Sequence, residues 1–180
     1  PDRLTPLVGK YASRYLNADV SADRVELTYW STFPTVSLEV EGLRVISHAL
    51  DSLPASERAN LPAYADTLAT VRRFSGGVNV WGISVGRLML SDVEIEHPVI
   101  NLVKADSLHA NYDIVPASSD TTSSPLPEIA INRFAITGGA PIRFYSAADT
   151  IDVTINLTTT SLSGTDAPTY AIDIQGSDSR

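Results

Sequence analysis

One spacing constrains this chain more than any other: apolar, x, apolar, x, x, apolar, x, apolar. It occurs at Leu38, Val40, Leu43 and Val45, again at Leu88, Leu90, Val93 and Ile95, and a third time at Ile129, Ile131, Phe134 and Ile136. A helix repeats its apolar positions at steps of three and four, and a plain strand at steps of two. Two alternating pairs offset by one extra residue fit a strand with a bulge or sharp bend, where the added residue returns the chain to its original face. The residues at the offsets, Glu41-Gly42, Ser91-Asp92 and Asn132-Arg133, are polar or glycine. Three such copies predict a repeated unit of curved sheet.

These side chains are expected to share one face, and each is worth about 1.5–3 kcal/mol when fully buried. That face therefore needs a cover. Two arrangements supply one. The sheet can fold over itself as a closed β-sandwich, or its concave side can remain a groove around something apolar. A single short helix is too small to cover it.

The rest of the chain fits around this pattern. Leu4, Leu7, Val8, Tyr11, Ala12, Tyr15 and Leu16 form one apolar stripe, which predicts an amphipathic helix over 4–16. Thr5 is its N-cap, and Asn17 closes it. From Asp23 the period becomes two, with Ser31-Thr32-Phe33-Pro34 as a turn or strand break. Residues 47–65 read as an insertion outside the sheet, with a short helix from Ala55 to Asn60 that Pro62 stops. Strand character resumes from Leu68 to Val103, with bends or turns at Gly76-Gly77, Gly82, Gly86 and Pro98. Residues 116–127 are rich in Ser, Thr and Pro and read as a flexible linker. Alternation returns at Ile129–Ile136, Ile142–Tyr145, Ile151–Leu157 and Tyr170–Ile174. The expected organisation is a helix plus a first β unit over 1–115, a linker over 116–127, and continuing strands over 128–180. The fold class is mainly β: a curved antiparallel sheet with an N-terminal helix and a short helical insertion.

Composition narrows the function. Apolar residues make up 43% and charged residues 19%, enough for a core and too little charge for disorder. The net charge of −8 repels phosphate backbones, so no nucleic acid is expected as partner. It also disfavours binding anionic headgroups by charge attraction alone. With no cysteine, disulfides and thiolate chemistry are excluded. No apolar run reaches the roughly 18 residues of a membrane-spanning helix. The chain starts at Pro1 without an initiator Met and stops at Arg180 within its strand rhythm, so both ends look cut, and a membrane anchor upstream would not show in this sequence.

No catalytic constellation is legible. His48, His97 and His109 lack the spacing of a helical ligand pair, and Glu94, Glu96 and His97 read as a solvated strand face rather than a metal site. Asp19 with Asp23, and Asp149 with Asp152, lie in turn-rich segments where Asp is ordinary. No serine has a nucleophile-elbow context, and no glycine pair opens a phosphate loop. The expectation is a non-enzyme with no catalytic residue, metal or cofactor. Trp30 and Trp81 fit either interfacial anchors or cross-strand packing. For Trp81, packing is the preferred reading, and for Trp30 the two weigh evenly.

The order of elements resembles the N-terminal region of the AsmA-like family. The resemblance is carried by the helix, by VELTYWSTFPTVSLEVEGLRV, by VNVWGISVGRLMLSDVEIEHPVINLVKADSLHANYDIV, and by LPEIAINRFAITGGAPIRFY after a variable linker. Trp81 to Gly86, Pro98 to Leu102, and Asn111 look like its recurring segments. The glycine that often precedes that Asn is missing from Asp106-Ser107-Leu108-His109-Ala110-Asn111. The resemblance covers most of residues 4–160. It implies a periplasmic module tethered to the inner membrane of a double-membraned bacterium, similar to the eukaryotic bridge-like lipid transfer proteins. Its implied partners are lipid acyl chains and, through the anchor, the inner membrane. Its implied role is lipid transport between membranes or outer-membrane assembly. The other expectation is a closed β-sandwich interaction module of an envelope or surface protein.

Overall fold

The computed structural model describes residues 16–29, 34–115, 128–131, 133–157, 160–163 and 172–176. The helix expected over 4–16, Trp30 and the turn at 31–33, the linker over 116–127 and the bend residue Asn132 lie outside the described residues. All eleven described strands belong to one open sheet.

Its spine is β5, Arg87–Lys104, the longest strand at 18 residues. On one side β5 pairs antiparallel with β4 (Thr67–Asn79), and β4 pairs antiparallel with β3 (Thr35–Ser47). Two short strands, β1 (Ala18–Ser21) and β2 (Arg24–Thr28), follow one another along the outer edge of β3. On its other side β5 pairs in turn with β6 (Glu128–Ile131), β7 (Arg133–Thr137) and β8 (Ala140–Ser146), all three parallel to it. Beyond them β9 (Ile151–Leu157) pairs β8, β10 (Thr160–Ser163) pairs β7, and β11 (Ile172–Gly176) pairs β9.

The expectation of an antiparallel sheet is therefore corrected to a mixed one. The cause is the connection 105–127, which is long enough to carry the chain back to the start of β5. A parallel neighbour needs such a crossover, whereas a tight turn would have given an antiparallel one. Strands from before and after the expected linker thus share one sheet.

The offsets in the apolar spacing coincide with unusual backbone. Gly42, Asp92 and His97 have φ of +63°, +48° and +46°, the left-handed region that few L-residues adopt. Along β5 the exposed positions are Arg87, Met89, Asp92, Glu94 and His97, at alternating steps of two and three. Each three-residue step ends on a left-handed residue. At the first, the β4–β5 register shifts between Ser75 and Gly77, as a bulge in one strand requires. At the second, the register holds because neighbouring strands step together. Val40 pairs Phe74 and Leu43 pairs Val71, while Phe74 pairs Ile95 and Val71 pairs Pro98. The same level crosses the β1–β2 break at Asp23 and reaches Gly138, with φ of +77°. There a β-carbon on Gly42 would collide with the Asp23 carboxylate, and one on Gly138 with the His97 ring.

Two elements escape the sequence pattern. β1 lies in a stretch too short and polar to show alternation. A one-turn helix stands between β4 and β5. Numbering the described helices α1 (Ala55–Arg58) and α2 (Val80–Ser84), α2 is capped by Asn79, whose side-chain oxygen accepts from Trp81 N at 3.0 Å and Gly82 N at 3.3 Å.

The connection 48–66, which holds α1, packs on the far end of the sheet. Leu50, Leu53 and Ala65 form a buried cluster with Val103, against which Leu61, Tyr64, Ala105 and Tyr145 pack. Asn111, fully buried, ties this cap down. Its side-chain oxygen accepts from Val103 N at 2.9 Å, and its amide nitrogen donates to Ala65 O at 2.9 Å and Asn101 O at 2.8 Å. Replacing Asn111 by Ala strands one donor and two acceptors away from water. Asn111→Ala is expected to cost about 3 kcal/mol in urea unfolding, and Asn111→Asp at least as much, because a carboxylate would face two carbonyls.

Candidate functional site

Residues directly opposite one another in a ladder share a face. Following that rule across the sheet collects most of the large apolar residues on one side, with Val99, Val103 and Tyr145 among those on the other. From β1 and β2, Val20 pairs Val45, Val25 pairs Val40 and Leu27 pairs Leu38. From β5 onward, Leu88 pairs Ile129, Leu90 pairs Ile131, Val93 pairs Phe134 and Ile95 pairs Ile136. The second and third copies of the sequence pattern thus lie side by side, residue for residue. Ile100 pairs Ile142 and Leu102 pairs Phe144, and these in turn pair Ile155 and Val153 on β9.

Of the expected core- or groove-facing residues, Val40 and Val93 are buried. Leu38, Leu43, Val45, Leu88, Leu90, Ile95, Phe134 and Ile136 are half-buried, and Ile131 is exposed. Ile129 is placed by its backbone pairing. The first copy sits one step further along: its offset aligns with the second offset of β5, not the first. The sequence reading stopped at Ile95 and missed the continuation through Pro98, Ile100 and Leu102, as well as Val71, Phe74 and Val78 on β4. The signal was present. The two-three rhythm of β5 simply runs on past Ile95.

The opposite face is polar. Arg73 bridges Glu39 on β3 at 2.9 Å and Glu96 on β5 at 3.5 Å, Arg24 pairs with Glu26, and Arg133 pairs with Asp92 at 2.9 Å. Such exposed pairs contribute little stability. They do decide which face meets water. At the capped end this face is covered, where Arg143 lies 5.4 Å over the Tyr64 ring.

The titratable groups form structural pairs. His48 sits between two carboxylates, with Nδ1 2.8 Å from Asp51 and Nε2 3.1 Å from Asp19, so it links β1 to the connection 48–66. Arg58 continues the chain to Asp51 at 2.9 Å and Asp66 at 2.8 Å. Asp106 accepts from Leu108 N at 2.7 Å and His109 N at 2.8 Å and contacts the His109 ring, as a turn-forming Asp does. Asp149 accepts from the Ser146 hydroxyl at 2.8 Å and stands 3.4 Å from Lys104 Nζ. His97 is exposed with its ring against Gly138. Among the described residues no group of three or more His, Asp or Glu side chains could hold a metal ion. An open pocket of about 310 Å³ beside the start of β5 is lined by Thr35, Asn79, Met89, Leu90, Ser91, Ala130 and Ile131, none of them titratable.

Trp81 is not in a cross-strand pair, contrary to the preferred sequence reading. It lies on α2 and is exposed. No helix among the described residues is long and apolar enough to cross a membrane. The sequence matches no protein-family model and no curated protein.

The hydrogen bonds to Asp51 and then Asp19 raise the pKa of His48 above its usual 6.5, and the bond from His48 holds Asp51 below its usual 3.8. A raised histidine pKa stabilises the fold below the unfolded value, and that contribution fades as pH rises through the folded value. The Asp51 contribution runs the other way, lost as pH falls through its lowered value. The β1–cap link is therefore expected to be strongest near pH 5–6. Urea unfolding at pH 5.5 and 8.5 should show a small loss at the higher pH that His48→Ala abolishes, and proton NMR of His48 should give a midpoint above 6.5.

Proposed function

We propose that this chain is a non-enzymatic lipid-handling module: its apolar sheet face holds acyl chains while headgroups stay in water. One observation carries the reading. Strands from β1 to β9 contribute apolar residues to one face, where Val25, Val36, Val40, Val78 and Val93 are buried and many others half-buried, and every described strand belongs to the same sheet. The eleven described strands lie in one sheet and not in two facing ones, and this supports the groove reading over the closed sandwich. Bulges bend the strands that carry them, and the register shift opposite Asp92 and the left-handed backbone at Gly42 and His97 support a curved sheet. The face offers mainly aliphatic and aromatic carbon, with the Lys104–Asp149 pair at its capped end, which suits hydrocarbon better than a polar substrate.

The resemblance to the AsmA-like family extends the proposal to place and role. The chain acts in the periplasm of a double-membraned bacterium, tethered to the inner membrane by an upstream anchor, in lipid transport between membranes or outer-membrane assembly. The net charge of −8 argues against nucleic acid as a partner.

Native mass spectrometry of the purified chain should reveal co-purifying lipid, and a fluorescent phospholipid should bind with an emission shift. Leu38→Glu and Leu90→Glu each put a carboxylate on the half-buried face and are expected to cut binding about tenfold or more while circular dichroism stays unchanged. A lipid-free protein that refuses the fluorescent probe would sink the proposal, and so would full binding by both variants.

A further inference from the structure

At one end of the sheet two connections meet. Thr35 opens β3 opposite Asn79, the last residue of β4, and Val80 N donates to Pro34 O at 3.0 Å. Beyond this last pair comes α2, which lies against the start of β5. Its turn is internally tied: Asn79 caps it, Ser84 Oγ donates to Trp81 O at 2.7 Å, and Val85 N donates to Gly82 O at 3.1 Å. Gly86, with φ of +74°, then returns the chain to β5. Met89 lies against Gly82, so the strand supports the turn from behind.

What this turn presents is apolar. Trp81 is 62% exposed and Val85 71%, with Tyr29 at the end of β2 73% exposed and Met89 45%. Large apolar side chains held out by a hydrogen-bonded turn need a reason. Trp81 and Val85 stand exposed on a short turn beside an open pocket lined in part by polar residues, and scattered exposed apolar side chains of this kind suit a fluid interface. Trp and Tyr also favour the boundary between headgroups and acyl chains.

Charge selects this end over the other. The chain has no carboxylate between Asp66 and Asp92. Arg87 and Glu128, partners in backbone register at this end, carry opposite formal charges. At the opposite end Leu108 and Val115 are also exposed, at 81% and 60%, but there Asp19, Asp51, Asp106 and Asp113 surround them in sequence and structure. In a chain of net charge −8, a neutral tip is the part that can approach a bilayer without a field opposing it.

We infer that the α2 turn is a membrane-surface docking point, placing Trp81 and Val85 in the headgroup–acyl boundary of a zwitterionic bilayer with Tyr29 and Met89 at the margin. The contact is hydrophobic and independent of acyl-chain carriage by the sheet. Flotation of the full chain with phosphatidylcholine vesicles tests it, at about 0.1 M and about 1 M NaCl, where charge attraction is screened. The chain should float at both salts. Val85→Glu and Trp81→Ala should each lower the bound fraction roughly tenfold with unchanged circular dichroism, since both side chains are mostly exposed. Leu108→Glu at the other end, and Leu38→Glu on the sheet face, should float like the parent. Brominated phosphatidylcholine should quench tryptophan emission in the parent and less in Trp81→Ala. Failure to float, undiminished flotation of Val85→Glu, or binding confined to anionic vesicles at low salt would overturn the inference. A dimer in light scattering that Val85→Glu dissolves would overturn it too, by assigning the turn to a second copy of the chain.

Discussion

A strand alternates faces with every residue, so one added residue sends everything beyond it to the wrong side. In this sheet that constraint is met collectively. β3, β4 and β5 each take a three-residue step at the same level, from Val40 to Leu43, from Phe74 to Val71 and from Ile95 to Pro98, and the register across them is preserved. At Asp92, where β4 does not share the step of β5, the ladder between them slips by one residue instead. Because β3, β4 and β5 step together, carbon stays on one side and the Arg73–Glu39–Glu96 cluster stays on the other. The left-handed residues Gly42 and His97 make the step possible, and Pro98 falls between the β7 pairing of β5, which ends at Glu96, and its β8 pairing, which begins at Ile100.

Much of this was legible in the chain itself, because spacing is a geometric signal. The offsets at Glu41-Gly42 and Ser91-Asp92 mark where the backbone becomes left-handed, and the short helix after Pro54 is present as α1. Direction was not legible. Whether Leu88 to Ile95 and Ile129 to Ile136 run parallel or antiparallel depends on the path of the intervening chain, and apolar spacing reads the same either way. α2 was hidden for a different reason. Its five residues include a glycine and β-branched side chains that read as strand, and the deciding contact is the cap from Asn79, which outweighs propensity over a single turn. Asn111 was noticeable only as part of a family resemblance; its physical role, satisfying Val103, Ala65 and Asn101 at once, needed coordinates.

The two ends of the sheet are built differently, and the difference bears on the functional reading. One end is closed by the connection 48–66, with a buried cluster, Asn111 and the His48 ion pairs. The other ends in a compact turn that holds apolar side chains outward, beside an open pocket lined by hydroxyl, amide and thioether groups. A module that guides hydrocarbon gains from such polarity: a fixed, charged end, an apolar face along its length, and a neutral apolar tip.

Gly138 and His97 illustrate how tightly two distant positions become one. The imidazole occupies the space that any β-carbon at 138 would claim, and Gly138 is itself left-handed. Position 138 cannot drift alone. A bulkier residue at 138 becomes acceptable only after 97 has shrunk and the backbone at 138 has found another conformation, so related chains should exchange the pair jointly, as a covarying couple joining β5 to the chain between β7 and β8.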